Sequence, residues 1–514
     1  MGIGMRDRRG EGCGRRGYRG RVPPYPQAVL DHLSAPVGAG EMDAPDAVGE
    51  SGSQSCGDVV RIQLRIAGGR IREARFLAFG CPSATAAASA ACARLAGATM
   101  DQALLLSTEA LNADLGGLDA HRRHGPELVS DAVARALEAW YSARLGAVGL
   151  PLAGNRVAVA MSGGVDSAVA AMRLRDTGRD VVGVTMRLWH DPAALAAERS
   201  CCSPETVRMA RDTAHALGIP HLTIDAVEAF RRGVVEDFIA GYAEGRTPNP
   251  CVTCNGTVRF RVLGQAAALL GAYGMATGHY ARIARGAAGR PAIARAADGG
   301  KDQSYMLAML ARPVLERLEF PLGDLVKDEV RELARGAALP AADAVESQEI
   351  CFVGQGGYAP FLERNAGLGP RPGEIVDTGG RVVGEHSGYW RFTVGQRRGI
   401  GLAAPEPLYV VGTDAARNRV VVGPREELAT WGLTLHPAVG HDALDPLRPF
   451  EVRVRYRGAA LRGRGVVPAD DDTLLVDLDE PADGAAPGQT ATIYQDGRLV
   501  AAGTIAGSRP RTME

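Results

Sequence analysis

A short apolar run, Val157-Ala158-Val159-Ala160, is followed almost at once by Ser162-Gly163-Gly164-Val165-Asp166-Ser167. The run reads as a buried strand, and the helical pattern from about Ser167 to Thr177 makes the glycines a strand-to-helix turn. Further strands are predicted at Asp180–Met186 and His221–Ile224, with a helix at Pro204–Leu217 between them. Strand and helix therefore alternate, and that order builds a parallel sheet. The turn also carries chemistry. Its glycines let backbone N–H groups face an anion, the helix start adds positive potential, and Ser162 and Ser167 supply hydroxyls. It is not the P-loop pattern, because no Lys is followed by Ser or Thr. A plain tight connection has the same local signature, so the turn alone leaves both readings open.

At 514 residues the chain is too long for one ordinary domain. Residues 1–22 are an Arg- and Gly-rich tail with little apolar surface, expected to be disordered. Val59–Ile66 and Ile71–Phe79 alternate as strands about an Ala67-Gly68-Gly69-Arg70 turn, and Ser83–Leu95 and Pro126–Leu145 read as helices. Strands followed by helices make 23–145 an α+β unit, joined by a linker at 146–154 to the α/β unit at 155–355. After about Gly373 the helices stop, and short strands such as Val452–Tyr456 and Leu474–Leu478 suggest one or two small β-barrels. A small central β domain at 356–430 and a C-terminal barrel at 431–514 are expected.

Lys+Arg 58 against Asp+Glu 59 excludes a uniformly basic coat, so any nucleic-acid contact must use a local patch. No apolar run reaches the ~18 residues a membrane span needs, and no apolar signal core opens the chain. No membrane association and a cytoplasmic location are expected.

Nine cysteines are too sparse for a disulfide scaffold, and paired thiols then point to metal or redox chemistry. Cys251 and Cys254 follow Pro248-Asn249-Pro250, whose prolines disfavour helix before them and put the pair on a loop or helix start. Helix N–H groups there favour a thiolate. With Cys351, three thiols permit persulfide transfer with a resolving disulfide, or an iron–sulfur site with one open position. Two buried structural thiols would also satisfy the pattern. Cys201-Cys202 read as packing or nucleotide-site residues, Cys92 as structural and Cys13 as incidental. The only lysines among 58 basic residues are Lys301 and Lys327, so Lys301-Asp302-Gln303 stands out as a substrate contact or a solvated turn.

The SGGVDS string resembles the pyrophosphatase loop of N-type ATP pyrophosphatases. Together with Met186-Arg187-Leu188-Trp189, Gly245 to Pro250, Thr277 to Arg282, KDQSY at 301–305, Ile350-Cys351-Phe352, Thr393 to Gly399 and Arg455-Tyr456-Arg457, it makes 155–510 similar to the tRNA-specific 2-thiouridylase family. That resemblance implies a multidomain chain with an adenine-nucleotide alpha-hydrolase-like catalytic domain, a small central domain and a C-terminal β-barrel. It implies ATP, with Mg2+, contacting Ala160, Met161, Ser162, Gly163, Gly164, Val165, Asp166, Ser167, Met186 and Gly278. It implies tRNA contacts at Asn249, Pro250, Cys251, Lys301, Asp302, Gln303, Arg455 and Tyr456. ATP would adenylate the C2 oxygen of wobble uridine 34. A persulfide on Cys351 would supply sulfur, and Cys254 would form a disulfide with Cys351, giving 2-thiouridine, AMP and pyrophosphate. A cysteine desulfurase or a sulfur relay protein would load Cys351.

Cys251 stands where many family members have Asp, which opens a second route: a [4Fe–4S] cluster on Cys251, Cys254 and Cys351. Residues 25–145 resemble the NifU-like iron–sulfur scaffold family through Tyr25, His32, Ser55-Cys56-Gly57-Asp58, Phe79-Gly80-Cys81-Pro82, Leu115 to Leu118 and His124. The family's ligands map to Cys56, Asp58, Cys81 and His124, while its third cysteine falls at Gly125. Fusion by a short flexible linker would favour sulfur delivery within the chain. Other readings are an adenylating amidase or synthetase, and an iron–sulfur or sulfur carrier whose second half binds RNA without ATP-dependent thiolation.

Overall fold

The computed structural model describes residues 25–53, 57–189, 203–286, 289–344, 350–353, 356–470 and 472–509. The tail at 1–22, Cys56, Cys201 and Cys202 lie outside them. α1 (Gln27–Ser34) precedes an antiparallel sheet ordered β1 (Ala47–Gly52), β2 (Val59–Ala67), β3 (Arg70–Phe79). The alternation of β2 sends Val60, Ile62 and Leu64 into the core. α2 (Pro82–Leu95), α3 (Met100–Leu104), α4 (Thr108–Asp114) and α5 (His124–Ser142) follow. α5 begins two residues before the predicted Pro126, because proline is tolerated within a helix's first turn. The sequence reading holds no strand at 47–52, where two glycines weaken the β signal. Gly49 is needed there: a Cβ would lie 2.0 Å from the Ala132 carbonyl oxygen of α5.

The second unit contains β4 (Arg156–Ala160), α6 (Val165–Asp176), β5 (Asp180–Arg187), α7 (Pro204–Ala216), β6 (His221–Asp225), β7 (Gly274–Thr277), the hairpin β8 (Ala281–Arg285) and β9 (Pro291–Arg295), and β10 (Leu318–Glu319). The parallel sheet runs β10-β7-β4-β5-β6. Strand order reverses at β4, and the crevice at such a reversal is where open α/β sheets bind ligands. Between β6 and β7, α8 (Val227–Phe230) passes through a π-helical turn, Arg231–Val235, into α9 (Glu236–Ala243). α10 (Pro250–Thr253) passes through a second, Cys254–Arg259, into α11 (Phe260–Leu269).

The first two units are packed together. α5 lies against β6, the edge strand of the parallel sheet. Asp131 of α5 pairs with Arg208 and with buried Arg211 of α7, and Ser142 Oγ accepts from the Asp225 N–H at 3.0 Å. The connection at 146–154 is held to the second unit where Arg317 donates to the Pro151 carbonyl at 2.7 Å.

Strands Gly373–Asp377, Val382–His386, Tyr409–Asp414 and Arg419–Gly423 form the central sheet. The last six strands, from Ala429–Gly440 to Arg498–Arg509, close into a barrel through pairing of the first with the last. β8 and β9 extend this sheet, so a hairpin of the second unit belongs structurally to the C-terminal barrel. The predicted strand Val452–Tyr456 ends at Arg453. Arg455 and Tyr456 lie in the turn after it, where Arg457 adopts φ +60.

Candidate functional site

The phosphate loop leaves β4 and enters α6, whose first residue is Val165 rather than Ser167. Gly164 caps α6 with no side-chain hydrogen bond, so the helix start keeps its N–H groups for an anion. Gly163 has φ +76, and a Cβ there would come within 2.4 Å of the Thr206 carbonyl oxygen. Ser167 Oγ donates to the Gly164 carbonyl at 3.0 Å and accepts from the Ser162 N–H at 3.1 Å. Gly278, after β7, packs against this turn: a Cβ would meet Asp166 C and Ser167 N at 2.8 Å. Ala160 ends β4, Met161 is buried in the loop, and Met186 is buried near the end of β5.

Lys327 is a residue the sequence reading missed. It opens the helix Lys327–Gly336, is 5% exposed, and its Nζ donates to both Asp166 oxygens at 2.7 and 2.8 Å. The Tyr280 hydroxyl donates to Asp166 Oδ1 at 2.8 Å. Gln303 in turn accepts from the Tyr280 N–H at 2.9 Å. The lysine-scarcity signal applied equally to Lys327, which lacked only a recognisable neighbourhood.

The thiols sit on two segments. Asn249 caps α10 through its side chain, Pro250 is the first helical residue, Cys251 is exposed, and Cys254 is buried at the start of the second π turn. Desolvation pushes the Cys251 thiol up, partly offset by the Arg259 charge, with Cys254 raising it further. The two π turns pack on each other at Gly233, where a Cβ would meet Val258 Cγ2 at 2.6 Å. π turns of this kind are frequent at functional sites. Cys351 is half-buried, and the next residue, Phe352, is set among Trp189, Phe230, Phe238 and Phe361. Phe230 ends α8, which leads into the π turn that packs on the turn Cys254–Arg259. Both thiol segments thus pack on one helical element. Nearby, burial and the Arg259 charge push His279 down to about 3, so its imidazole is neutral.

The residues expected to meet tRNA come together. The Tyr305 ring lies 5.9 Å from that of Tyr456, and α10, which Asn249 caps, packs against the turn Ser304–Leu307 that holds Tyr305. This joins the turns holding Lys301, Asp302 and Gln303, Arg455 and Tyr456, and Asn249 to Cys251. Asp302 is buried, and its carboxylate accepts from the Ala296 N–H and from the N–H and hydroxyl of Ser304. It shapes the turn from inside.

In the first unit Cys81 Sγ and Asp58 Oδ2 each lie 3.1 Å from His124 Nε2. The ligand atoms of Asp58, Cys81 and His124 all fall within 4.8 Å of one another. Among the described residues Cys251, Cys254 and Cys351 form no such set.

A family model described as NifU-like N terminal domain matches residues 24–146, and one described as tRNA methyl transferase HUP domain matches 155–355. A tRNA methyl transferase PRC-barrel domain model matches 360–424, and an Aminomethyltransferase beta-barrel domain model 441–505. The chain is 44% identical over 499 residues to the bifunctional protein NifU/MnmA of Rubrobacter xylanophilus, covering 94% of this chain and 99% of that one. It belongs to the NifU/MnmA family. The tRNA-specific 2-thiouridylase MnmA of Acidothermus cellulolyticus is 45% identical over 359 residues, 69% of this chain and 98% of the relative. The MnmA of Sorangium cellulosum is 46% identical over 361 residues, 69% and 93% respectively.

Within the NifU-like half, a Cys, His and Asp donor set suits zinc or iron. The position of the missing cysteine is closed by packing: a Cβ on Gly125 would lie 2.6 Å from Ser83 C and 2.7 Å from Ala84 N. The three described donors therefore fit one metal ion, and a further ligand at 125 does not fit this backbone.

Proposed function

We propose that the chain thiolates the wobble uridine of tRNA at C2, using ATP and a persulfide on Cys351. The uridine O2 attacks the α-phosphorus of ATP and pyrophosphate leaves. The terminal sulfur of the Cys351 persulfide attacks C2. AMP then departs with the former O2. Cys254 attacks the Cys351 sulfur, breaking its bond to the transferred sulfur and leaving 2-thiouridine with a Cys254–Cys351 disulfide. A thiol reductant restores the pair, and a cysteine desulfurase or relay protein reloads Cys351.

The observation that carries this reading is the packing of the Cys254 and Cys351 segments on one helical element beside a sheet whose strand order reverses at the phosphate loop. Lys301 and the Arg455-Tyr456 turn supply the tRNA side, and the target base must leave its stack to reach the cleft. Mg2+ enters with ATP in this reading. A cytoplasmic location follows from the substrate. We assign the NifU-like half a metal- or sulfur-handling role through Asp58, Cys81 and His124.

The test is anaerobic thiolation by the full chain with ATP, tRNA, cysteine and a desulfurase. 2-Thiouridine, AMP and protein-bound iron are all quantified. Equal 2-thiouridine and AMP from iron-free protein is the expected result. Product formed only by iron-loaded protein would favour the cluster route, and no tRNA-dependent AMP would leave an iron–sulfur carrier.

A further inference from the structure

Beneath the phosphate loop lies a buried polar chain that the reaction above does not use. Thr185 on β5 is 1% exposed and His221 on β6 is 4% exposed. Thr185 Oγ1 lies 2.8 Å from the Met161 carbonyl oxygen and 2.8 Å from His221 Nε2. A carbonyl only accepts, so the single hydroxyl proton goes to Met161. Thr185 must then accept from His221, whose Nε2 carries a hydrogen. Burial, with the nearby His215 and Arg211, holds His221 well below its ordinary pKa, so this imidazole is neutral.

The Met161–Ser162 peptide is held at both ends. Its oxygen takes the Thr185 hydroxyl, and its N–H donates to Ser167 Oγ at 3.1 Å. The Met161 N–H donates to the Val184 carbonyl at 2.8 Å, which ties the loop's entry to β5. Gly183 makes the stack possible: a Cβ there would lie 2.6 Å from Met161 Sδ and 3.2 Å from His221 Cδ2.

We propose that Thr185 and His221 are positioning residues that set the entry peptide of the phosphate loop and thereby the placement of ATP's phosphates. The proposal rests on reading 160–167 as the ATP loop. Neither side chain reaches the nucleotide; each acts through the next atom in the chain. Without the hydroxyl, the Met161 carbonyl and the His221 N–H are both left unpaired in a buried site. They recover partners only if the peptide turns, and that turns the following N–H groups away from the anion.

Steady-state AMP formation by the full chain with tRNA separates this role from simple packing. Thr185→Val keeps the shape and loses the hydroxyl, and is expected to raise the KM for ATP about tenfold. Thr185→Ser keeps the hydroxyl, and is expected to restore the KM to within about twofold of wild type whatever its thermal midpoint. A wild-type KM in Thr185→Val, or a KM in Thr185→Ser as high as in the valine variant, overturns the proposal while the ATP reading stands. A wild-type chain that never saturates with ATP overturns the ATP reading and this proposal together.

Discussion

The two halves of this molecule gather thiols in opposite ways. In the NifU-like half, Asp58, Cys81 and His124 come from separate elements and share one point, already bonded to one another. In the catalytic half, Cys254 is buried while Cys351 is half-buried on another segment, and no such set forms among the described residues. Under the proposed roles the contrast follows from the chemistry. A metal ion needs its donors at once, so the site is assembled beforehand. A sulfur carrier must meet a donor, then an RNA base, then a resolving thiol.

The largest effect that could break this contrast is loss of thiolation. Cys351→Ser and Cys254→Ser are each expected to lower tRNA 2-thiouridine to background by mass spectrometry, with ATP affinity unchanged. Cys81→Ser is expected to keep at least about a third of wild-type thiolation when a desulfurase supplies sulfur directly, because a transfer in trans does not need the first unit. Equal abolition by all three variants would make the two centres one relay.

Cys81→Ser should instead be severe for metal. Titration of the full chain with Co2+, followed by the sulfur-to-metal charge-transfer band, is expected to show at least about hundredfold weaker binding. An unchanged band would remove Cys81 from the ligand set.

Preorganisation in the catalytic half is concentrated at the phosphate end. Lys327→Met leaves Asp166 without its ammonium partner. A fully buried pair broken this way costs more, but Asp166 is about a third exposed, so a loss of about 2 kcal/mol in chemical unfolding is expected. The KM for ATP should rise with it. No change in either would make the pair incidental.

What could be read beforehand was local. The alternation in β2 and the strand–glycine–helix order at 157–167 depend on neighbours in sequence, and both stand in the fold. β1 escaped because its glycines serve a close helix crossing, a tertiary demand that erases β propensity. The Lys327–Asp166 pair spans 161 positions and Asp58–His124 spans 66, distances over which no spacing rule operates. Resemblance pointed to the second pair and not to the first. The β8–β9 hairpin joined a barrel whose other strands begin more than a hundred residues later, and only pairing reveals that.

The smallest effect concerns the joint between the halves. Glu138 of α5 lies 2.5 Å from Arg187, the last residue of β5. The ion pair looks like a fastener, yet burial raises the Glu138 carboxyl above its ordinary value, Asp225 adds to that rise, and Arg187 and Arg135 only partly offset it. A carboxyl raised in the folded state favours folding while protonated, and that contribution is lost as pH climbs through the folded pKa. Glu138→Gln avoids the loss, and Arg187 keeps Asp225 as a partner. The variant should therefore equal wild type near about pH 4 and exceed it by less than about 1 kcal/mol near about pH 8 in chemical unfolding. Destabilisation at the higher pH would mean that charge, and not the packing of α5 on β6, joins the NifU-like half to the catalytic edge.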